Sequence, residues 1–143
     1  MRDNISIGQT IDIHAVAGLL KGYLREISEC IFTTDGVTKM LEVHRNVTER
    51  STKIKEFDRI LYKLPPTNQA CIKFLMKHLN RVTQMEKQNK MSVDNVSKIF
   101  GPTMLHYGKD TAMMASLTPS DIMAQGQVVA FMMDNLEELF KIV

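Results

Sequence analysis

Between Thr67 and Lys87 the apolar residues recur at three- and four-residue steps, and this periodicity constrains the fold more than any other feature. Cys71, Ile72, Leu75, Met76, Leu79 and Val82 share one face of a helix, while Lys73, Lys77 and Arg81 line the opposite face. We read that basic stripe as solvated surface. Pro65-Pro66 ends one helix and starts the next, because proline is accepted in a first helical turn. No segment alternates apolar and polar residues as a half-buried strand would. The expectation is an all-α fold, a single bundle of about six helices occupying residues 1–143 as one domain.

The other helices follow from the same reading. Residues 1–10 form an irregular lead-in. From about Ile11 to Ile27, Val16, Leu19, Leu20, Tyr23, Leu24 and Ile27 fall within one arc, with His14, Lys21 and Arg25 opposite and Gly18 and Gly22 beside them. Glycine inside a helix costs roughly 1 kcal/mol relative to alanine. Two on the polar face indicate either a close approach by another surface or a weak, solvated face. Residues 35–48 and 50–64 read as two more charged helices. Ser92 is a candidate N-cap for a short helix whose apolar side is Val93, Val96, Ile99 and Phe100, with Asn95 and Lys98 at its edge. Gly101-Pro102 is expected to stop that helix, and residues 103–117 to form a methionine-containing loop. Thr118 then caps a last helix with Pro119 at its first position and Ile122, Val129, Met132, Met133, Leu136, Leu139 and Phe140 on its core face.

Bulk composition narrows the function classes. A formal charge of +2 on 143 residues gives no ground for a nucleic-acid partner, and none is expected. No apolar run reaches the ~18 residues of a membrane span. Cys30 and Cys71 sit beside apolar residues, so buried thiols are expected rather than a disulfide, which fits a reducing, cytoplasmic location. His14, His44, His78 and His106 have no metal-ligand spacing, so no metal site is expected. No glycine-rich phosphate loop follows a strand and no nucleophile motif is present, so neither a cofactor nor stand-alone enzyme chemistry is expected. What remains is a surface: Lys21 and Arg25, one helical turn apart, suit an acidic or phosphate-bearing partner.

Four blocks in order carry a family resemblance: DIHAVAGLLKGYLREI from Asp12, LPPTNQACIKFLMKHLNRV from Leu64, KMSVDNVSKIFGPTML from Lys90 and QVVAFMMDNLEELF from Gln127. Together they resemble the RhoGAP domain, the GTPase-activating domain for Rho-family small GTPases. The resemblance implies a helical bundle that docks on a Rho/Rac-type GTPase in its GTP-bound state and speeds hydrolysis. It assigns Lys21 and Arg25 to the GTPase-facing groove and Asn95 to the helix that holds and contacts that groove. Gly101-Pro102 matches as a structural element.

Two departures accompany it. The proline-rich turn expected after the YLRE block is replaced by Ile27-Ser28-Glu29-Cys30-Ile31, which should loosen that turn. The family's arginine finger lies in a Gly-x-[Phe/Tyr]-Arg loop upstream, and Arg2 lacks that context. No catalytic residue is therefore assigned. The expected activity is GTPase activation in a form missing the catalytic arginine, with a non-catalytic GTPase-binding or helical adaptor module as the alternative. Loss of the segments that would pack on the bundle should expose apolar surface and favour self-association.

Overall fold

The computed structural model describes residues 12–142. The expected lead-in at residues 1–10, and Arg2 with it, lies outside them. The described residues form nine helices and no strand: α1 (Ile13–Glu26), α2 (Thr34–Asn46), α3 (Arg50–Tyr62), α4 (Pro66–Gln84), α5 (Glu86–Asn89), α6 (Val93–Met104), α7 (Thr111–Ser116), α8 (Pro119–Asp134) and α9 (Leu136–Phe140). Six are long and match the expected bundle; α5, α7 and α9 are single short turns.

The helix starts are set by side-chain chemistry. Asp12 accepts from the His14 N–H at 2.9 Å, and Ser92 accepts from the Asn95 N–H at 3.1 Å. Glu49 caps α3, its carboxylate accepting from the N–H groups of Ser51 and Thr52. The Ser51 and Thr52 hydroxyls, which also donate to it, and then those N–H groups hold its pKa down at about 2. Thr118 and Asp121 form a reciprocal capping box at the start of α8, with Pro119 at its first position. Asp121 also pairs with Arg45, tying α2 to α8. Each cap satisfies backbone donors that the helix itself leaves unpaired.

The core runs through the whole bundle: Val37, Met40, Phe57, Ile72, Met76, Leu79, Val96, Met104, Val128 and Met132 come from the other long helices, Leu24 from α1 and Phe32 from the loop after it. The closest packed pair is α6 with α8, where a Cβ built on Gly101 would lie 2.5 Å from the Gly126 nitrogen. Only backbone without a side chain fits at that crossing.

Several expectations are corrected. Gly101-Pro102 does not stop α6; the helix continues to Met104, with the Leu105 N–H donating to the Gly101 carbonyl at 2.9 Å. Proline costs one backbone hydrogen bond in a helix interior, and packing of Gly101 against α8 outweighs that loss. Residues 103–117 are not one loop, since α6 ends and α7 lies within them. The last helix is broken at Asn135, whose Nδ2 donates to the Phe131 carbonyl at 2.7 Å, and Ile122 is exposed. Cys30 is buried in the loop after α1, where burial pushes its thiol up to about 11. Cys71, by contrast, is exposed.

Candidate functional site

The α1 helix is the least buried of the long helices: of its 14 residues only Leu24 is buried. It is held by its C-terminal end. His106, in the turn after α6, is itself buried and places Nε2 2.6 Å from the Leu24 carbonyl. The Gly108 N–H donates to its Nδ1 at 2.9 Å. With Nδ1 an acceptor, the ring proton sits on Nε2 and is donated to Leu24. That carbonyl belongs to the last helical turn, where no intrahelical donor remains, so His106 caps α1 from another element.

Gly108 completes the brace. Its φ is +58°, and a Cβ there would stand 2.1 Å from the Ser28 carbonyl oxygen. A side chain at that point is excluded both by conformation and by space. The turn after α6 is thereby locked onto the turn after α1, the same segment from which the expected prolines are absent.

Arg25 lies one residue beyond that anchor. Its Nε donates to the Thr103 Oγ1 at 3.4 Å, while the Thr103 hydroxyl donates to the Ile99 carbonyl at 3.0 Å. Thr103 is buried, so its oxygen is a fixed acceptor. Lys21 sits one turn earlier on the same face, half-buried, with no ion-pair partner among the described residues. Gly18 and Gly22 meet nothing: no described atom lies within 4 Å of a Cβ built at either. Among the described residues, no atom outside the helix's own backbone closes that face.

Asn95 is at the other end of α6, eight residues before Thr103, a rise of about 12 Å. It is exposed, and its Nδ2 donates to the Lys90 carbonyl at 3.1 Å. Lys90 has φ +60°, so Asn95 stabilises a turn that only a few residue types enter readily. Glu86, Lys87, Lys90, Ser92 and Asn95 line a shallow depression there. Lys98 is paired with Asp94 at 2.6 Å, so it adds little net charge to this edge.

The structure thus links Arg25 directly to α6, keeps Lys21 on the same α1 face, and sets Asn95 at the far end of α6 rather than beside them. Sequence reasoning missed Thr103, His106 and Gly108. Their signals were a hydroxyl inside an apolar helix and a histidine two residues before a glycine, and both are weak without the fold. Among the described residues no group of three His, Cys, Asp or Glu side chains is placed to hold a metal ion, and no helix is long and apolar enough to cross a membrane.

Comparison with known proteins supplies the context. The family model for the RhoGAP domain matches residues 3–109. The Rho GTPase-activating protein gacY of Dictyostelium discoideum is 33% identical over 138 residues, covering 96% of this chain and 19% of that protein. Beta-chimaerin of Rattus norvegicus is 31% identical over 129 residues, covering 90% of this chain and 42% of its own length. The chain therefore spans under half of either relative. Among solved structures, human Rho GTPase activating protein 15 superposes with a TM-score of 0.82 at 28% identity, over 98% of this chain and 64% of that one. The BH domain of GRAF, the GTPase regulator associated with focal adhesion kinase, superposes at 0.76 with 27% identity, over 92% and 68%.

Proposed function

The chain belongs to the RhoGAP family, and from that premise we propose that its 143 residues form one domain that docks on a Rho/Rac-type GTPase in the GTP-bound state. Lys21, Arg25 and Asn95 are the contact residues of this reading. The observation that carries it is the brace: Thr103 in the last turn of α6 and His106 in the turn after it fix the last turn of α1 that bears Arg25, and α6 also bears Asn95. One helix therefore sets the spacing of both contact regions. An open glycine-bearing face beside Lys21 and Arg25 leaves room for a partner to approach the α1 backbone.

The same reading assigns these residues docking rather than acceleration. No Gly-x-[Phe/Tyr]-Arg sequence occurs among the 143 residues. An arginine supplied in trans stabilises charge on the transferring phosphoryl group and contributes ~10³–10⁵ in turnover, about 4–7 kcal/mol of barrier. Arg25 does not stand in for it, because its Nε is engaged by Thr103 and its helix is anchored at the adjacent residue.

The test is single-turnover GTP hydrolysis by a panel of Rho/Rac-type GTPases, with a binding titration of each in GTP- and GDP-loaded forms. Binding selective for the GTP form, weakened about five-fold or more by Lys21→Ala or Asn95→Ala and accompanied by little acceleration, is expected. Unchanged affinity for both variants refutes the contact assignment. Acceleration approaching a thousand-fold or more refutes the missing-arginine reading.

A further inference from the structure

The face of α1 opposite Arg25 is a second, separate surface. Leu20, Tyr23, Leu24 and Ile27 form one wall of a groove whose other wall is Phe74 and its neighbours on α4. The groove has a volume of about 580 Å³. On a helical wheel its α1 wall lies about 130° round from Lys21 and Arg25, so the two surfaces do not overlap.

What makes the groove unusual is the apolar side chain left in water around it. Phe74 is 75% exposed and Tyr23 68%; Ile13 and Leu19 are each 74% exposed, with Val16 and Leu20 partly so. At ~150–250 Å² for a whole aromatic side chain, this patch amounts to on the order of 500 Å² of contiguous apolar surface. A typical soluble monomer exposes ~300–600 Å² in its largest patch, and such a patch is often functional. Two copies pairing the patch face to face would remove on the order of 1,000 Å² in total, the threshold for a specific interface.

We propose that the α1–α4 groove is a homodimer interface, occupied by the same groove of a second copy of this chain. The contact is isologous, so Phe74 and Tyr23 of each copy enter the cavity beside those of the other. The α4 helix is basic. Lys73, Lys77 and Arg81 run along α4, which has no acidic residue, and none of the three has an ion-pair partner among the described residues. Like-charged helices repel, so added salt should strengthen this association. An acidic peptide or an anionic lipid surface in the groove would behave oppositely, weakening with salt. The docking face stays exposed in the dimer, so this interface stands or falls independently of GTPase binding.

The experiment is sedimentation equilibrium of the full chain from about 1 to 100 μM at low and high salt. Phe74→Glu and Tyr23→Lys are compared with Tyr62→Ser, a change at an 82% exposed aromatic outside the groove. Circular dichroism confirms that each variant is folded. The expected result is a concentration-dependent dimer, favoured by salt, whose dissociation constant rises ten-fold or more in both groove variants and not in Tyr62→Ser. Cys71 lines the groove, so its alkylation should slow as the dimer forms. A wild-type chain that stays monomeric throughout overturns the proposal, as does a dimer indifferent to both groove substitutions. Capture of a monomeric wild-type chain by phosphatidylserine vesicles, lost in Phe74→Glu and in high salt, overturns it in favour of a lipid surface.

Discussion

Replacing Gly101 by alanine tests the α6–α8 crossing on which the candidate site depends. A Cβ at that position would stand 2.5 Å from the Gly126 nitrogen, 2.6 Å from its Cα and 2.7 Å from the Gln125 carbonyl carbon. Carbon contacts settle at ~3.5–4.0 Å, so the two helices must part by about 1 Å. No side chain can swing aside to relieve the contact, because every atom met is backbone. Overpacking of a filled core costs about 1–3 kcal/mol, occasionally more. A gap of ~0.5–1 Å forfeits a quarter to a half of each dispersion contact along the separated faces. Better helix propensity returns about 1 kcal/mol. The net expectation is a loss of about 1–2 kcal/mol, toward the upper end as dispersion contacts are forfeited.

Gly126 is the internal control. A Cβ there meets the Ser97 carbonyl oxygen at 3.4 Å and the Lys98 Cα at 3.6 Å, which are ordinary contacts. Gly126→Ala should therefore be neutral or stabilising by up to about 1 kcal/mol. Urea unfolding followed by circular dichroism separates the two. With a slope of ~1–3 kcal/mol/M, Gly101→Ala should lower the midpoint by about 1 M, and Gly126→Ala should leave it or raise it. Equal midpoints for the two variants, or a larger loss at Gly126, would refute the claim that α6 and α8 touch backbone to backbone at Gly101.

Three further outcomes are expected. His106→Ala leaves the Leu24 carbonyl and the Gly108 N–H unpaired and should cost about 1–3 kcal/mol, read as a thermal midpoint lowered by several degrees; a midpoint equal to wild type would remove the brace. Of the two thiols, Cys71 should react with maleimide in the folded monomer while Cys30, buried and shifted up to about 11, reacts only on unfolding, and equal native rates at both would contradict the burial of Cys30. Glu49, held at about 2 against an ordinary 4.5, contributes stability that is present above about pH 4.5 and lost as pH falls toward 2; thermal midpoints of wild type and Glu49→Gln should converge across that window, and a constant gap would show that the cap does not depend on the charge.

The parts of the fold legible in the sequence were those governed by local rules. The Pro65-Pro66 break, the caps at Ser92 and Thr118, and the apolar face of α4 follow from chemistry within a few residues, and each stands where periodicity put it. Gly101-Pro102 misled for the same reason. Glycine followed by proline is a stop signal in isolation, and only the arrival of Gly126 from α8 turns the glycine into a packing requirement. The α1 arc was legible as apolar but not as exposed, since periodicity reports which face is apolar and not whether anything covers it. Lys21 and Arg25 were proposed from their one-turn spacing and, with Asn95, from the family resemblance, whereas Thr103, His106 and Gly108 act across 78 to 82 residues of chain or through backbone geometry. No local pattern encodes a hydrogen bond of that span.

This distribution explains why α6 is the element to perturb. Its buried side carries Val96, Gly101 and Met104, and its final turn and the residues after it carry Thr103, His106 and Gly108. Asn95 stands on its first turn. A displacement of α6 by the ~1 Å that Gly101→Ala demands moves the Thr103 acceptor and the His106 donor together, and Arg25 is tied to both through α1. A hydrogen bond already at 3.4 Å has no reach to spare. Stability and docking should therefore fall together in Gly101→Ala, whereas Lys21→Ala, at a half-buried residue with no ion-pair partner among the described residues, separates them.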